Sequence, residues 1–99
     1  MTINSTVDGT VLNLALEGRL DTTTAPELEA ELSKLGEEVN EVHFDFEKLE
    51  YISSAGLRVL LAEQKLMNKI GGSMDLKNVN PDIMEVFDIT GFTDILTIK

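Results

Sequence analysis

Apolar and polar residues alternate along several stretches of the chain, which is the pattern of strands with one buried face. In the central stretch, Val42, Phe44 and Phe46 alternate with charged or polar neighbours. Asp8-Gly9, between the first two stretches, is a strong hairpin signal. The pattern predicts five strands: Thr2 to Val7, Thr10 to Glu17, Val42 up to the serine pair Ser53-Ser54, Ser73 to Lys77, and Phe92 to Ile98. We expect Ile95 to point inward from the last strand.

Apolar residues at helical spacing predict three helices between the later strands. Thr24 with Glu27 fits a capping box at the start of the first helix, and Pro26 suits its first turn. Gly36 is predicted to end this helix. Its predicted buried residues are Ala25, Leu28, Leu32 and Leu35.

The second predicted helix is the longest amphipathic stretch, and it follows the serine pair directly. Gly71-Gly72 ends it, because glycine adopts the left-handed conformation that a helix C-cap requires. Asn80-Pro81 begins the third helix and Gly91 ends it. The predicted buried residues of the second helix are Leu57, Val59, Leu60, Leu61, Gln64, Leu66 and Ile70, and those of the third are Ile83, Val86 and Phe87.

The order of elements, β-β-α-β-α-β-α-β, predicts one α/β domain over residues 1–99. Its sheet would be mixed, with parallel central strands and helices packed on it. In open sheets of this kind, sites lie beyond the carboxyl ends of the strands. The loops there are Arg19 to Thr24, Tyr51 to Ala55 and Asn78 to Pro81. We therefore expect Gly18 to Asp21 to lie near the serine pair.

Composition narrows the classes of function. The chain has no cysteine, and therefore no thiolate nucleophile and no cysteine-based zinc site. A net charge of −10 argues against binding to nucleic acid, although an acidic surface also serves solubility alone. No apolar run is long enough to span a membrane. We expect a cytoplasmic protein that contacts neither nucleic acid nor membrane.

The sequence contains no recognisable catalytic constellation. No Gly-x-Ser-x-Gly elbow is present, and no Gly-rich loop that would cradle a phosphate. His43, the only histidine, lies in the middle of a predicted strand, where a structural or solvated role is favoured. The carboxylates lack the spacing of a calcium loop. The sequence thus predicts a protein that is not an enzyme, with no catalytic residue, no metal and no cofactor.

The serine pair at the start of the second helix has two compatible explanations. A serine there can cap the helix by accepting a backbone N–H, which is worth about 1 kcal/mol. The same free N–H groups and the helix dipole also suit a phosphoryl group, which would add about −1.5 to −2 charge. Gly56 would keep the approach to this turn open. Arg58, one turn beyond Ser54, is placed either to contact a phosphate or to be solvated.

Three segments of the sequence resemble the STAS domain family, specifically the bacterial anti-sigma factor antagonists. They are GRLDTTTAPEL (Gly18 to Leu28), FDFEKLEYISSAGLRVLL (Phe44 to Leu61) and IGGSMDLKNVNPDIMEVFDITGF (Ile70 to Phe92). The resemblance implies a switch. The unmodified antagonist binds an anti-sigma factor that is also a serine kinase, and so releases the sigma factor. Phosphorylation at the start of the central helix ends the complex, and a metal-dependent serine phosphatase restores binding.

Carried over by position, the resemblance implies that Ser54 is phosphorylated, with Ser53 as the fallback. The partner-binding residues would be Asp21, Thr22, Ser53, Ser54, Gly56 and Arg58. The chain departs from the family pattern in having Ser53 where aspartate is usual, and in ending at Lys99 where many relatives continue into a further helix. We expect a monomer when free. Two other functions stay open: a constitutive interaction or scaffold module, and a binder of a small ligand or nucleotide.

Overall fold

The computed structural model describes residues 1–34 and 38–99, and it shows a four-stranded sheet. The strands lie side by side in chain order: Thr2–Asp8 (β1), Val11–Leu20 (β2), Glu41–Ile52 (β3) and Ser73–Lys77 (β4). Strand β1 runs antiparallel to β2, whereas β2, β3 and β4 are parallel. The predicted mixed sheet with parallel central strands is therefore confirmed. The elements are β1 (Thr2–Asp8), β2 (Val11–Leu20), α1 (Ala25–Ser33), β3 (Glu41–Ile52), α2 (Ser54–Ile70), β4 (Ser73–Lys77), α3 (Pro81–Thr90) and a 3-10 helix (Phe92–Asp94). The predictions for Leu35 and Gly36 lie outside the described residues.

The hairpin between β1 and β2 is present as predicted. Asp8 pairs with Val11, so Gly9 and Thr10 form the turn, and Gly9 has a positive φ of 63°. Strand β2 is longer than predicted, because it continues past Glu17 to Leu20. Register shifts accompany this extension, and Gly18 within it has a φ of 96°. The extension carries β2 as far as the end of β3, where the serine pair begins.

One face of the sheet and the inner faces of the helices form a single core. The alternation predicted for the two central strands is confirmed. After Phe46, however, the buried residues of β3 are spaced by three, at Leu49 and Ile52, so strict alternation does not hold there. The strand residues at the centre of this core are Leu12, Leu14, Leu16, Val42, Phe44 and Phe46. A two-residue period alone would place Ile52 inside but not Leu49.

Helix α2 buries a narrower stripe than predicted. Leu66 and Ile70 are each 47% exposed, so their assignment to the core was wrong. Glu63 and Met67 are buried instead, in line with Leu60 at helical spacing. The helix ends at Gly71, whose φ of 75° confirms the predicted left-handed cap. The residues whose predicted burial is confirmed are Leu57, Val59, Leu60 and Gln64.

Helix α3 is confirmed at both ends, but the strand predicted after it is wrong. The Asn80 side chain accepts a hydrogen bond from the Ile83 N–H at 2.8 Å, and Gly91 ends the helix in the left-handed conformation. The chain from Phe92 onward then turns as a 3-10 helix, and its contact with the sheet is an isolated bridge between Leu76 and Ile98. Within this segment Leu96 is buried, whereas Ile95 is 45% exposed.

Candidate functional site

The ends of β2 and β3 bring two loops together at one edge of the sheet. Leu20 pairs with Ile52, and the Ser53 N–H donates a hydrogen bond to the Leu20 carbonyl at 2.9 Å. The loop from Asp21 to Thr24 therefore begins beside the serine pair, as predicted. The third loop contributes Asn80, whose amide donates to the Leu49 carbonyl at 2.9 Å. The candidate site lies where these loops meet the first turn of α2.

The two serines occupy different environments. Ser53 is the N-cap residue of α2, with an extended backbone, but its side chain forms no cap. Its Oγ is buried and has no hydrogen-bond partner among residues 1–34 and 38–99. Ser54 is the first residue of the helix, and its side chain is exposed. The capping explanation for the serine pair therefore does not hold at Ser53, and Ser54 is the more exposed of the two residues.

Asp21 organises the neighbouring loop through its carboxylate. Its Oδ1 accepts hydrogen bonds from the Thr23 hydroxyl at 2.8 Å and from the N–H groups of Thr23 and Thr24 at 3.0 and 3.2 Å. The hydrogen bond from the Thr23 hydroxyl is the largest cause that holds the pKa of Asp21 below its ordinary value. Desolvation is the second largest and opposes it, whereas the bonds from the two N–H groups lower the pKa further. Asp21 is therefore a carboxylate at neutral pH.

The capping box predicted for Thr24 and Glu27 does not form. The Thr24 hydroxyl donates to the Arg19 carbonyl at 2.7 Å and accepts the Asp21 N–H at 2.8 Å. Thr24 itself has a helical backbone, and it makes no side-chain cap to the described part of α1. The same hydroxyl instead ties the end of β2 to the start of α1, which fixes the loop that carries Asp21 and Thr22.

Sequence reasoning missed a contact between Arg19 and Tyr51 at this edge. The two residues are paired across β2 and β3, and the Arg19 guanidinium lies 4.1 Å from the centre of the Tyr51 ring. Its Nε is also 3.7 Å from Asp21 Oδ2. Tyr51 is 41% exposed. A guanidinium over an aromatic ring is held by cation–π attraction, and the strand register was the signal needed to find this pair.

Gly56 does not lie on the surface of the site. It is buried, and a Cβ at this position would lie 2.7 Å from Leu20 Cγ and 2.9 Å from Ile52 Cγ1. The predicted role of Gly56, an open approach for a partner, is therefore wrong. The glycine instead lets the first turn of α2 pack closely against the ends of β2 and β3. Arg58, two residues on, is exposed and has no ion pair within the described ranges.

A groove of about 600 Å³ extends from the site between α1 and α2. Thr22 and Ala55 line the groove beside the serine pair, and Leu66 lines it further along α2.

Within the described parts of the chain, no cluster of three or more His, Cys, Asp or Glu side chains has the arrangement of a metal site. No helix in those same parts is long and apolar enough to cross a membrane.

A family model described as the STAS domain matches residues 2–99. This chain belongs to the STAS domain family. The recognition made from the three sequence segments is confirmed, and so is the single α/β architecture apart from its last strand. In this STAS domain, the candidate site lies at the carboxyl ends of β2 and β3.

Two curated relatives are named as anti-sigma factor antagonists. "Putative anti-sigma factor antagonist BtrV" from Bordetella bronchiseptica is 38% identical over 93 residues, which are 93% of this chain and 79% of that protein. The anti-sigma-B factor antagonist of Bacillus subtilis is 32% identical over 88 residues, which are 89% of this chain and 81% of that protein. This STAS domain is thus homologous to anti-sigma factor antagonists over most of its length.

Solved structures of the anti-sigma factor antagonist SpoIIAA show the same fold. The unphosphorylated form matches with a TM-score of 0.80 at 20% identity, covering 99% of this chain and 87% of that one. The phosphorylated form, described as the Bacillus cell fate determinant SpoIIAA, matches with a TM-score of 0.78 at 21% identity, covering 99% of this chain and 91% of that one. The present STAS domain therefore has a fold that is found in both forms of SpoIIAA.

Proposed function

We propose that this protein is an anti-sigma factor antagonist that is switched by phosphorylation of Ser54. In its unmodified state it binds an anti-sigma factor with serine kinase activity, and a sigma factor is released. The observation that carries the proposal is the exposed Ser54 side chain at the start of α2, beside a loop ordered by Asp21. The names of the homologues support the role of antagonist.

Accessibility favours Ser54 over Ser53 as the acceptor. A kinase has to bring the γ-phosphoryl group of ATP in line with the attacking hydroxyl oxygen. The Ser53 Oγ is buried, so its modification would require the turn between β3 and α2 to open first. Ser54 is exposed on the first residue of the helix and requires no such opening.

The position of Ser54 also fits a switch that leaves the fold intact. A phosphate at a helix N-terminus is favoured by the helix dipole and by the free N–H groups of the first turn. Arg58, one turn further along, is a nearby unpaired cation among the described residues. The added charge would therefore be tolerated by the free protein, while a partner docked on Ser54 would face repulsion and desolvation.

The proposed cycle has further parts. A metal-dependent serine phosphatase removes the phosphate and restores binding to the kinase. The antagonist itself catalyses nothing and acts as a monomer. Asp21, Thr22 and Arg58 contribute to the docking surface around Ser54. Because sigma factors act on RNA polymerase inside the cell, the cytoplasm is the compartment that this role implies.

The test is phosphopeptide mapping combined with binding to the anti-sigma factor kinase of the same genome. Incubation with the kinase and ATP should place one phosphate on Ser54. Ser54→Ala should bind the kinase without being phosphorylated. Ser54→Asp should bind about 100-fold more weakly or worse, because charge that faces like charge or loses solvent costs several kcal/mol. Ser53→Ala is the matched control, and it should be phosphorylated as the wild type is.

Two results would contradict this assignment. Phosphorylation of Ser54→Ala at the normal stoichiometry would move the acceptor to another residue. A protein that carries no phosphate in growing cells, and whose Ser54→Asp variant binds as the wild type does, would instead be a constitutive interaction module.

A further inference from the structure

The groove between α1 and α2 has walls that suit an aliphatic chain. Leu32 from α1 lies opposite Val59, Ala62 and Leu66 from α2, and Ala55 lines it near the serine pair. Small side chains at Ala55 and Ala62 leave the space open, and Leu66 is 47% exposed. An apolar side chain of another molecule placed here would bury surface that now contacts water.

One carboxylate lies within these apolar walls. Glu63 lines the groove and is only 8% exposed, yet it makes no hydrogen bond or ion pair with any group in residues 1–34 and 38–99. Burial raises the pKa of this carboxyl. The other charged groups that line the groove are Glu29 from α1 and Arg58 from α2, both exposed. Because burial removes part of the hydration of a charged carboxylate, a cation bound at Glu63 would offset that cost.

We propose that the groove receives a lysine side chain of the anti-sigma factor, whose aliphatic stem lies along the apolar walls and whose ammonium pairs with Glu63. The identity of the partner rests on the proposed function. Lysine has the chemistry required, because its four-carbon stem can be buried on apolar surface while its charge reaches a single carboxylate. The net charge of −10 on this chain also favours a basic partner segment.

The groove is continuous with the proposed switch. Thr22 and Ala55 line it, and Ala55 is the residue that follows Ser54, so one partner surface would cover both features. The lysine would also remove the cost that Glu63 imposes on the free protein. Glu63 is therefore expected to destabilise the free fold at neutral pH and to strengthen the complex. A purely structural glutamate would behave in the opposite way.

The stability of the free protein gives the first test. At pH 7, Glu63→Gln and Glu63→Leu should each raise the Tm by about 4 °C or more, since the buried charge is removed. The exposed Glu85 on α3 provides a matched control, and Glu85→Gln should leave the Tm within about 1 °C. A lower Tm in both Glu63 variants would show that the carboxylate stabilises the free fold, and would overturn the proposal.

A small amine tests the groove directly. Hexylammonium, titrated into the labelled protein and followed by amide NMR shifts, should bind in a saturable way at residues lining α1 and α2. Hexanol and hexanoate should bind the wild type at least about tenfold more weakly than hexylammonium does. Hexylammonium should bind Glu63→Gln more weakly by a similar factor, because the loss of one charge pair corresponds to about tenfold in affinity. Equal binding of hexanol and hexylammonium, or undiminished binding to Glu63→Gln, would overturn the proposal.

Binding to the anti-sigma factor kinase separates this inference from the proposed function. Glu63→Gln, with Ser54 intact, should weaken the complex at least about tenfold. If Glu63→Gln binds as the wild type does while Ser54→Asp does not bind, the groove proposal fails and the switch stands. If hexylammonium binds at Glu63 while Ser54→Asp binds the kinase normally, the groove chemistry stands and the phosphoswitch fails.

Discussion

At the scale of single residues, the backbone distinguishes two neighbours that are chemically identical. Ser53 has an extended backbone, with φ of −104° and ψ of 176°, and its hydroxyl oxygen is buried without a partner in the described part of the chain. Ser54, one residue later, is helical and exposed. The backbone thus buries the hydroxyl oxygen of Ser53 and exposes Ser54, the residue that is proposed to be modified.

Gly56 gives a prediction at the same scale. Alanine would improve the helix propensity by about 1 kcal/mol, but its Cβ would lie within 3 Å of Leu20 and Ile52 side-chain atoms. Overpacking of this kind costs about 1–3 kcal/mol, so Gly56→Ala should lower the free energy of unfolding by up to about 2 kcal/mol in urea denaturation. The exposed Lys65→Ala should change it by less than about 0.5 kcal/mol. A Gly56→Ala protein more stable than the wild type would contradict this packing.

At the scale of elements, the sequence correctly predicted the helix ends that depend on neighbouring residues alone. The cap at Asn80 and the left-handed glycines at Gly71 and Gly91 depend on a few adjacent residues, and each is present. The last strand was wrong because Phe92 to Ile98 contains apolar residues whose spacing also suits a turn, and the structure bonds Leu96 N–H back to the Phe92 carbonyl. Local pattern does not decide between these alternatives.

The features of the site that the sequence did not predict all depend on contacts between elements. The Thr24 hydroxyl bonds to Arg19 instead of capping α1, because β2 extends further than its alternation indicates. Gly56 is buried because two strand ends lie beneath it. Glu63 is a charged residue, so its place in α2 did not predict that it is buried. Only the packing of α1 beside α2 places it in a groove. The serine pair itself was placed correctly, because the change from strand to helix period marks it.

The cap of α3 gives the prediction for this scale. The Asn80 side chain accepts from the Ile83 N–H and donates to the carbonyl of buried Leu49, so it joins α3 to β3. Asn80→Ala should lower the free energy of unfolding by about 2 kcal/mol, the sum of a lost cap and an unsatisfied carbonyl. Asn80→Asp keeps the cap acceptor and should lose only about half as much. Equal losses in the two variants, measured by urea denaturation, would show that the cap contributes nothing.

At the scale of the whole molecule, the two ends of β3 carry different chemistry. The serine pair follows its carboxyl end, whereas His43 lies near its start, between Glu41 of the same strand and Asp75 of β4. Lys99 at the end of the chain reaches Asp75 at 3.2 Å, so this cluster also holds the C-terminal segment against the sheet. Of the two roles predicted for His43, structural or solvated, these contacts favour the structural one. The proposed docking surface and the charge cluster are separated by the length of the strand.

The geometry of this cluster predicts a pH dependence of the stability of the whole fold. Both ring nitrogens of His43 face carboxylate oxygens, Nδ1 at 2.8 Å from Asp75, and only the protonated ring can donate from both. These bonds, first that to Asp75 and then that to Glu41, raise the pKa of His43 above its ordinary value of 6.5. Burial acts to raise the pKa of Asp75, but its bonds to His43 and Lys99 outweigh burial and lower it.

The sign follows from comparing the folded and unfolded states. Because the folded protein holds the His43 proton more tightly, the stabilisation is complete below about pH 6.5 and is lost as the pH rises through the folded-state pKa. The difference in free energy of unfolding between the wild type and His43→Gln should therefore be largest near pH 6 and shrink above that pKa. Urea denaturation from about pH 5.5 to 9 measures it, and NMR titration of the single histidine gives the folded-state pKa independently. A difference that stays constant or grows with pH would mean that His43 is neutral in the fold, with one of its two carboxylates not bound to it.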